Sequence, residues 1–395
     1  MPDIYDYMAW RGDIRIEQDG FNEVDNLVLS AFAYVPLDGI VPGDCADGGV
    51  SIGEAARRFA ENRDLWKLLR MQKDKRLFEA IGRCPRFASL PLRRYVNVIS
   101  EREETQFSAV TVELGDGGFF VAYRGTDNTL VGWKEDFNMG FMRLIPAQSA
   151  AVAYLEDAAA RLNGPLRVGG HSKGGNLAIY AAAFCAPPVQ ERIAAVYNND
   201  GPWLHAEQAG QAGYLAICDR LHAFIPQTSV IGMLLEHEGR YSVVRSSQRG
   251  LFQHDFYSWQ IAGTGFVHLA SVTNGSKFVD RTVKAWLAEW DEEQRALFVD
   301  ALFRIINATG ARTFQEMGAS WHRSALAMLK SYMSLDKEMR KAIGKTLGLL
   351  MKTACRHLDC FAPNRGRKKP DPLSPPINPS TAQCHGAIRS WVWPG

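Results

Sequence analysis

Short apolar runs and longer amphipathic stretches alternate along residues 107–246. Residues 107–114 and 119–124 have strand composition and flank a Gly/Asp-rich turn, so we predict a β-hairpin there. Further segments with strand character begin at Leu166, Ile193, Leu221 and Tyr241. Helical patterns lie between them, over 147–163, directly after Ser172, and over 206–216. Because this alternation is typical of parallel strands joined by helices, we predict an α/β fold with a mostly parallel sheet covered on both faces.

The pattern changes at about residue 280. Helical periodicity without strand signals extends over 283–306 and 313–356, and the residues after it are rich in Pro, Arg and Lys. The sequence therefore predicts an α/β domain over 1–280, a helical subdomain over 281–360 and a disordered tail over 361–395.

The composition is that of an ordinary globular protein, with 46% hydrophobic residues and a formal net charge of +2. Such a weak net charge does not favour nucleic acid or an anionic membrane as a partner. The first residues lack the pattern of a secretory signal, and no apolar stretch has the length of a membrane span. The seven cysteines are scattered, as in reduced proteins. The sequence thus predicts a cytoplasmic location and leaves the oligomeric state open.

The segment Gly170-His-Ser-Lys-Gly174 lies between an apolar strand and an Ala-rich helical stretch. This is the G-x-S-x-G pattern of a nucleophile elbow, in which a strained serine projects between strand and helix. Glycine two residues before and after the serine avoids a collision with the neighbouring backbone. The N–H groups at the start of the helix are aimed at any oxyanion that forms there. We therefore predict that Ser172 is a nucleophile rather than an ordinary turn residue.

A serine hydroxyl needs a general base, and after an elbow serine the acid and then the histidine follow along the chain. His254 follows the last strand-like segment and lies among aromatic residues, so we predict that it is the base. The alternatives are His237 as the base and a packing role for His254. The side chain of His171, inside the turn, is predicted to point away from the serine.

A carboxylate must orient the imidazole of the base. Asp200 directly follows the strand after the Ser172 helix, and consecutive strands of such a sheet are usually neighbours. We therefore predict that Asp200 is the acid, although the Asp-Gly-Pro sequence also suits an ordinary turn. The alternative acids are Asp219, Glu236 and Asp255.

Two aimed hydrogen-bond donors are needed to hold an oxyanion. The first candidate is the backbone N–H of Lys173, which immediately follows the serine. The second is Thr126, through its N–H or its hydroxyl, in the turn Arg124-Gly-Thr-Asp127 that follows an earlier strand.

These residues resemble the class-three, or fungal-type, lipases. The similarity rests on Tyr123-Arg-Gly-Thr126, Trp133, Asp136 and Gly170-His-Ser-Lys-Gly-Gly175. A bacterial hydrolase-fold family of unknown function is more similar still, and the shared segments are 21–25, 170–178, 197–202, 229–235 and 253–259. The resemblance covers about residues 1–350. It implies an α/β-hydrolase fold and lipase- or esterase-like activity, and it indicates no particular substrate.

The chain departs from the class-three lipases in two places. Those lipases carry their acid in an Asp-x-Val-Pro segment, whereas the corresponding residues 227–232 contain no carboxylate. Asp200 instead resembles the acid of pancreatic-type lipases, which lies one strand earlier. Lys173 stands where lipases usually have Leu, and its side chain is predicted either to bind an anionic substrate or to face solvent.

The sequence thus predicts a serine hydrolase that cleaves carboxylic esters of small molecules or lipids through an acyl-enzyme, with no metal or organic cofactor. The alternatives are a thioesterase or peptidase with the same triad and a catalytically silent binding protein. Residues 226–252 are predicted to form either a lid or acyl pocket, or ordinary core; their apolar members are Ile231, Met233, Leu234 and Leu235.

Overall fold

The structure is a computed structural model, and it describes residues 2–44, 49–140, 142–235, 241–288, 292–313, 316–317, 321–337, 339–341, 343–344 and 348. These residues belong to one compact unit, Met1–Phe361. The predicted tail over 361–395 lies outside the described residues.

A large sheet forms the centre of this unit. In order across the sheet, its strands are β1 (Val50–Ser51), β2 (Pro91–Ser100), β3 (Thr105–Glu113), β4 (Phe119–Tyr123), β5 (Leu166–His171), β6 (Ile193–Asn199), β7 (Leu221–Pro226), β8 (Ser242–Val244) and β11 (His268–Leu269). A separate hairpin consists of β9 (Ile261–Ala262) and β10 (Gly265–Phe266).

The middle of the sheet is parallel and its sides are antiparallel. Strands β4 to β8 pair in parallel, each with the next strand along the chain. The antiparallel pair β3–β4 confirms the predicted hairpin. Strand β2, which was not among the predicted strands, adds a second antiparallel pairing beside β3. Because β4 to β7 run the same way, their carboxyl ends meet at one edge of the sheet.

Helices cover both faces of the sheet. In chain order they are α1 (Ile4–Arg11), α2 (Glu23–Phe32), α3 (Ile52–Glu61), α4 (Arg63–Lys67), α5 (Gln72–Ile81), α6 (Pro85–Ala88), α7 (Leu130–Met139), α8 (Pro146–Arg161), α9 (Lys173–Phe184), α10 (Pro187–Glu191), α11 (Ala206–Ala209), α12 (Ala212–Ile217), α13 (Asn274–Ala288), α14 (Glu292–Asn307) and α15 (Trp321–Ser334).

Alternate side chains of β4 pack into different layers, as the pleat of a strand requires. Phe120 and Ala122 belong to a core shared with α2 and the other N-terminal helices. Val121 and Tyr123 belong to a second core, formed with α8 and α9. The sheet is therefore buried on both faces, as the alternation of strand and helix patterns predicted.

After residue 280 the described chain is mostly helical, in the rest of α13 and in α14 and α15. Helix α14 packs on α7 through Phe137 and Phe303, whose ring centroids are 5.7 Å apart. Lys134 of α7 also forms a salt bridge of 2.9 Å with Asp300 of α14. The division of the chain at 280 and 360 stays a prediction.

Candidate active site at the carboxyl edge of the sheet

Ser172 occupies a sharp turn between β5 and α9, with φ of 57° and ψ of −133°. A non-glycine residue is strained at this φ. The turn is tightly packed. A Cβ on Gly170 would lie 2.3 Å from the carbonyl carbon of Gly174, and a Cβ on Gly174 would lie 2.2 Å from the carbonyl oxygen of Tyr123. The two glycines are therefore required by close backbone contact, as the sequence pattern predicted.

Asp200 follows β6, the neighbour of β5, and faces His254. The two side chains are joined by a hydrogen bond of 2.7 Å between His254 Nδ1 and Asp200 Oδ2. Asp200 is buried and has a φ of 53°, so a second strained residue lies at the edge that carries Ser172. Because Nδ1 of His254 is bound to a carboxylate, Nε2 is the ring nitrogen that remains to accept a proton.

The second oxygen of Asp200 is held by the segment that follows β7. Oδ1 accepts hydrogen bonds from the Ser229 hydroxyl at 2.5 Å and from the Gly232 N–H at 3.1 Å. These donors compensate the burial of the carboxylate. Ser229 and Gly232 both follow β7, so the segment after this strand supports the carboxylate that follows the preceding strand.

Of the alternative acids, the structure describes Asp219 and Asp255, and it brings neither side chain to the ring of His254. Asp219 is exposed and precedes β7, at the opposite edge of the sheet. Asp255 forms a salt bridge of 2.6 Å with Lys73. Glu236 and His237 lie outside the described residues.

The prediction for the His171 side chain misses its main role, because the ring contacts His254 itself. His171 Nε2 lies 2.8 Å from the carbonyl oxygen of His254, and Nδ1 lies 2.9 Å from the Tyr34 hydroxyl. A carbonyl can only accept, so Nε2 carries the proton and Nδ1 accepts from Tyr34. Burial lowers the pKa of His171 well below its ordinary value, so the ring is neutral. The only sequence signal for a role of His171 in the site was its position next to Ser172. Nothing in the sequence indicated that Tyr34 binds it.

Thr126 lies after β4, at the same edge of the sheet. Its hydroxyl donates a hydrogen bond of 2.5 Å to Asp136 Oδ2 of α7. Burial raises the pKa of Asp136 to about 6, although Lys173 and the Thr126 hydrogen bond act against this rise. A Cβ on Gly125 would lie 2.0 Å from the Tyr34 hydroxyl and 2.5 Å from the His171 carbonyl oxygen, so this turn is pressed against the Ser172 turn.

Both interpretations of the Lys173 side chain are wrong. The side chain is only 1% exposed, and its ammonium group forms a salt bridge of 2.7 Å with Glu135 of α7. It also donates to the backbone and side-chain oxygens of Gln106, each at 2.8 Å. Neither solvent nor a substrate can therefore be its partner. The backbone N–H of Lys173 begins α9, where helical N–H groups have no partner in the helix.

A cavity of about 390 Å³ opens beside these residues, and Ser172, Thr126, Lys173 and His254 contribute to its wall. This volume is in the range of small-molecule sites. Most of the remaining wall is apolar and comes from α7 and the segment after β7; it includes Trp133, Phe137, Met139, Ile231, Leu234 and Leu235. Met233 of the same segment instead packs in a core cluster with Ile225 and Val243. The segment therefore serves both the cavity and the core.

Arg70 is a charged residue of the cavity wall that the sequence did not indicate. Its guanidinium lies 3.9 Å from the centroid of the Tyr34 ring and forms a salt bridge of 3.1 Å with buried Asp74. Arg70 thereby covers the side chain that binds His171.

Within the described residues, no three His, Cys, Asp or Glu side chains are grouped so that they could hold a metal ion. None of the described helices combines the length and the apolar character needed to cross a bilayer.

A family model described as Mbeg1-like matches residues 81–304 of the chain. The matched range contains Thr126, Ser172, Asp200 and His254. It also contains Glu135 and the whole segment after β7 that lines the cavity. No curated protein matches the chain.

Proposed function

Because the chain belongs to the Mbeg1-like family, which is related to the class-three lipases, we propose that it is a serine hydrolase that cleaves carboxylic esters. One observation carries the proposal: a strained serine and a histidine that is hydrogen-bonded to a buried aspartate line the same, largely apolar cavity. Strained backbone at a cavity is a frequent property of functional sites, and three of the four non-glycine residues with positive φ in the described chain are Ser172, Asp200 and Leu235.

In the proposed reaction Ser172 Oγ attacks the ester carbonyl carbon while its proton passes to His254 Nε2. Asp200 keeps the ring in the required tautomer and stabilises its charged form. The N–H of Lys173 and the N–H of Thr126 hold the oxyanion, because the Thr126 hydroxyl already donates its single proton to Asp136. The ester C–O bond then breaks, and His254 gives its proton to the departing alcohol. Water attacks the acyl-enzyme, its proton passes through His254 back to Ser172 Oγ, and the acid is released.

The proposal assigns the acyl chain to the apolar part of the cavity. Leu234 and Leu235 line it from the segment after β7, and Met139 lines it from α7. It also assigns the fold to the α/β-hydrolases and residues 170–174 to a nucleophile elbow. A cytoplasmic location stays a prediction from the sequence.

The experiment is hydrolysis of p-nitrophenyl esters from acetate to palmitate, together with labelling by a fluorophosphonate. We expect turnover with an optimum chain length and a label on Ser172. Both are lost in Ser172→Ala. The matched control is Ser242→Ala, because Ser242 is exposed on β8 and should tolerate the same change.

Absence of turnover and of label in the wild-type protein would favour the catalytically silent binding protein. Turnover of thioesters or peptides without turnover of oxygen esters would support the proposed triad but contradict the proposed substrate class.

A further inference from the structure

The Lys173 ammonium group is completely enclosed by acceptors. Its three hydrogen bonds go to Glu135 Oε2, to the Gln106 carbonyl and to Gln106 Oε1. An ammonium group has three protons to donate, so this set satisfies it fully. A buried ion pair is a weak source of stability, because desolvation of the two charges offsets their attraction. A function other than stability is therefore a reasonable explanation for the pair.

The pair connects the two halves of the proposed oxyanion hole. Lys173 follows the nucleophile, and its own N–H is one proposed donor. Glu135 precedes Asp136, which accepts the hydrogen bond from Thr126 at 2.5 Å, and Thr126 is the other proposed donor. A single ion pair of 2.7 Å thus joins α9, which carries the first donor, to α7, which holds the second.

Glu135 is itself fixed by the backbone. Its Oε2 accepts from the Gln106 N–H of β3 at 3.1 Å, and its Oε1 accepts from the Ala147 N–H at the start of α8 at 3.0 Å. Glu135 is fully buried. The carboxylate therefore fixes the position of α7 relative to the sheet and to α8. The ammonium group then links α7 to the Ser172 turn.

We propose that the buried Lys173–Glu135 pair is a positioning device that fixes the separation of the two oxyanion donors. This inference rests on the proposed function, since it concerns the same site. Oxyanion donors act when they are arranged before the reaction starts, and a displacement of about 1 Å can cost about a hundredfold in rate. Neither side chain touches the substrate. Both act through the backbone N–H of Lys173 and through Thr126.

The test compares Lys173→Met, Glu135→Gln and the double variant Lys173→Met/Glu135→Leu. The double variant removes both charges together, so it leaves no unpaired buried ion and should fold. Glu135→Gln keeps the shape and weakens the link to Lys173, so it serves as a second route if the other variants do not fold. Lys134→Met is the matched control, because Lys134 is the neighbouring residue of α7 and pairs with Glu104 and Asp300 outside the cavity.

We expect kcat for the best p-nitrophenyl ester to fall about tenfold to a hundredfold in all three variants, with KM within about twofold of wild type. The dissociation constant of an alkylboronic acid, which forms a tetrahedral adduct with the serine, should rise by the same factor as kcat falls. A merely structural role would lower the melting temperature without this joint change. Lys134→Met should keep both values.

This inference alone would be overturned if the folded double variant, or Glu135→Gln, kept the kcat and the boronate affinity of wild type. In that case wild type would be active and Ser172→Ala inactive, so the proposed function would stand. Wild-type protein with neither turnover nor fluorophosphonate label would overturn the proposed function and this inference with it.

Discussion

The Ser229 hydroxyl donates a hydrogen bond of 2.5 Å to Asp200 Oδ1, on the opposite side of the carboxylate from His254. The Ser229 carbonyl in turn accepts from the Ser276 hydroxyl of α13. The carboxylate is thus held between the histidine and a segment that also lines the cavity. The position of this carboxylate therefore depends on residues outside the cavity wall, Ser229 and Ser276.

Replacing Ser229 with Ala should weaken both the fold and the orientation of Asp200. The change leaves one lone pair of a buried carboxylate without its donor, which costs about 1–3 kcal/mol of the free energy of unfolding. We expect kcat to fall severalfold, because the carboxylate gains freedom to rotate away from His254. Urea unfolding and ester hydrolysis measure the two effects. Unchanged kcat in a measurably destabilised variant would contradict the link between Ser229 and the histidine.

Replacing Asp200 with Asn should lower kcat by about 10³–10⁴-fold, because an amide that donates to His254 Nδ1 selects the wrong tautomer. Steady-state hydrolysis of the preferred ester measures this loss. The control is Asp219→Asn, a change of the same type at an exposed position before β7. Comparable activity of the two variants would rule out Asp200 as the acid.

Replacing Asp136 with Asn should separate stability from activity. Burial raises the pKa of Asp136 from its ordinary value of 3.8 to about 6, so the folded protein binds a proton more readily than the unfolded chain between these pH values. The stability contributed by this group is therefore present below pH 4 and lost as the pH rises through about 6. We expect Asp136→Asn to gain about 3 kcal/mol at pH 7 relative to wild type, because each unit of pKa shift corresponds to about 1.4 kcal/mol.

This gain should disappear at pH 4, where wild-type Asp136 is mostly protonated. The activity of Asp136→Asn should nevertheless fall about tenfold or more, because Thr126 loses its charged acceptor. Melting temperatures and kcat between pH 4 and pH 8 test both statements. If the difference in stability between Asp136→Asn and wild type did not vary with pH, this result would contradict the raised pKa of Asp136.

Replacing Leu234 with Phe should shift the chain-length optimum to shorter esters. Leu234 lines the cavity, so a larger side chain there fills space assigned to the acyl chain. We expect kcat/KM for long esters to fall about tenfold or more while acetate is little affected. The neighbouring change Met233→Leu is the control, because Met233 packs in the core with Ile225 and Val243 and should affect only stability. If wild type, Leu234→Phe and Met233→Leu showed the same dependence of kcat/KM on chain length, this result would contradict the assignment of the acyl chain to this wall.

The parallel strands were predictable because burial on both faces makes them continuous apolar runs. The segment Ile193-Ala-Ala-Val-Tyr197 shows this clearly, and the segments that begin at Leu166 and Leu221 are each interrupted early, by Arg167 and His222. Strand β2 was harder to recognise, because Arg93, Arg94 and other polar residues interrupt it and several of its side chains reach the surface. Its strand character depends on pairing with β3, a neighbour in space that periodicity does not reveal.

Ser172, Asp200 and Thr126 could be found in the sequence because each follows a strand and the parallel strands share one edge. Their roles stay predictions. The surroundings of Lys173 could not be predicted, because Glu135 and Gln106 are 38 and 67 residues away along the chain. Whether a lysine beside Ser172 turns outward or inward depends on how α7 packs against β3.

Helix α7 and the residue before it also contact the segment that follows α14. The Leu130 N–H donates to the Arg312 carbonyl, and Thr129 and Thr313 form an isolated β-bridge. These contacts lie beyond residue 304, the end of the match to the Mbeg1-like family. A shortened protein for crystallography or screening that stopped at the family boundary would thus free the first turn of the helix that anchors Thr126. The minimal unit for such work extends at least through Thr313.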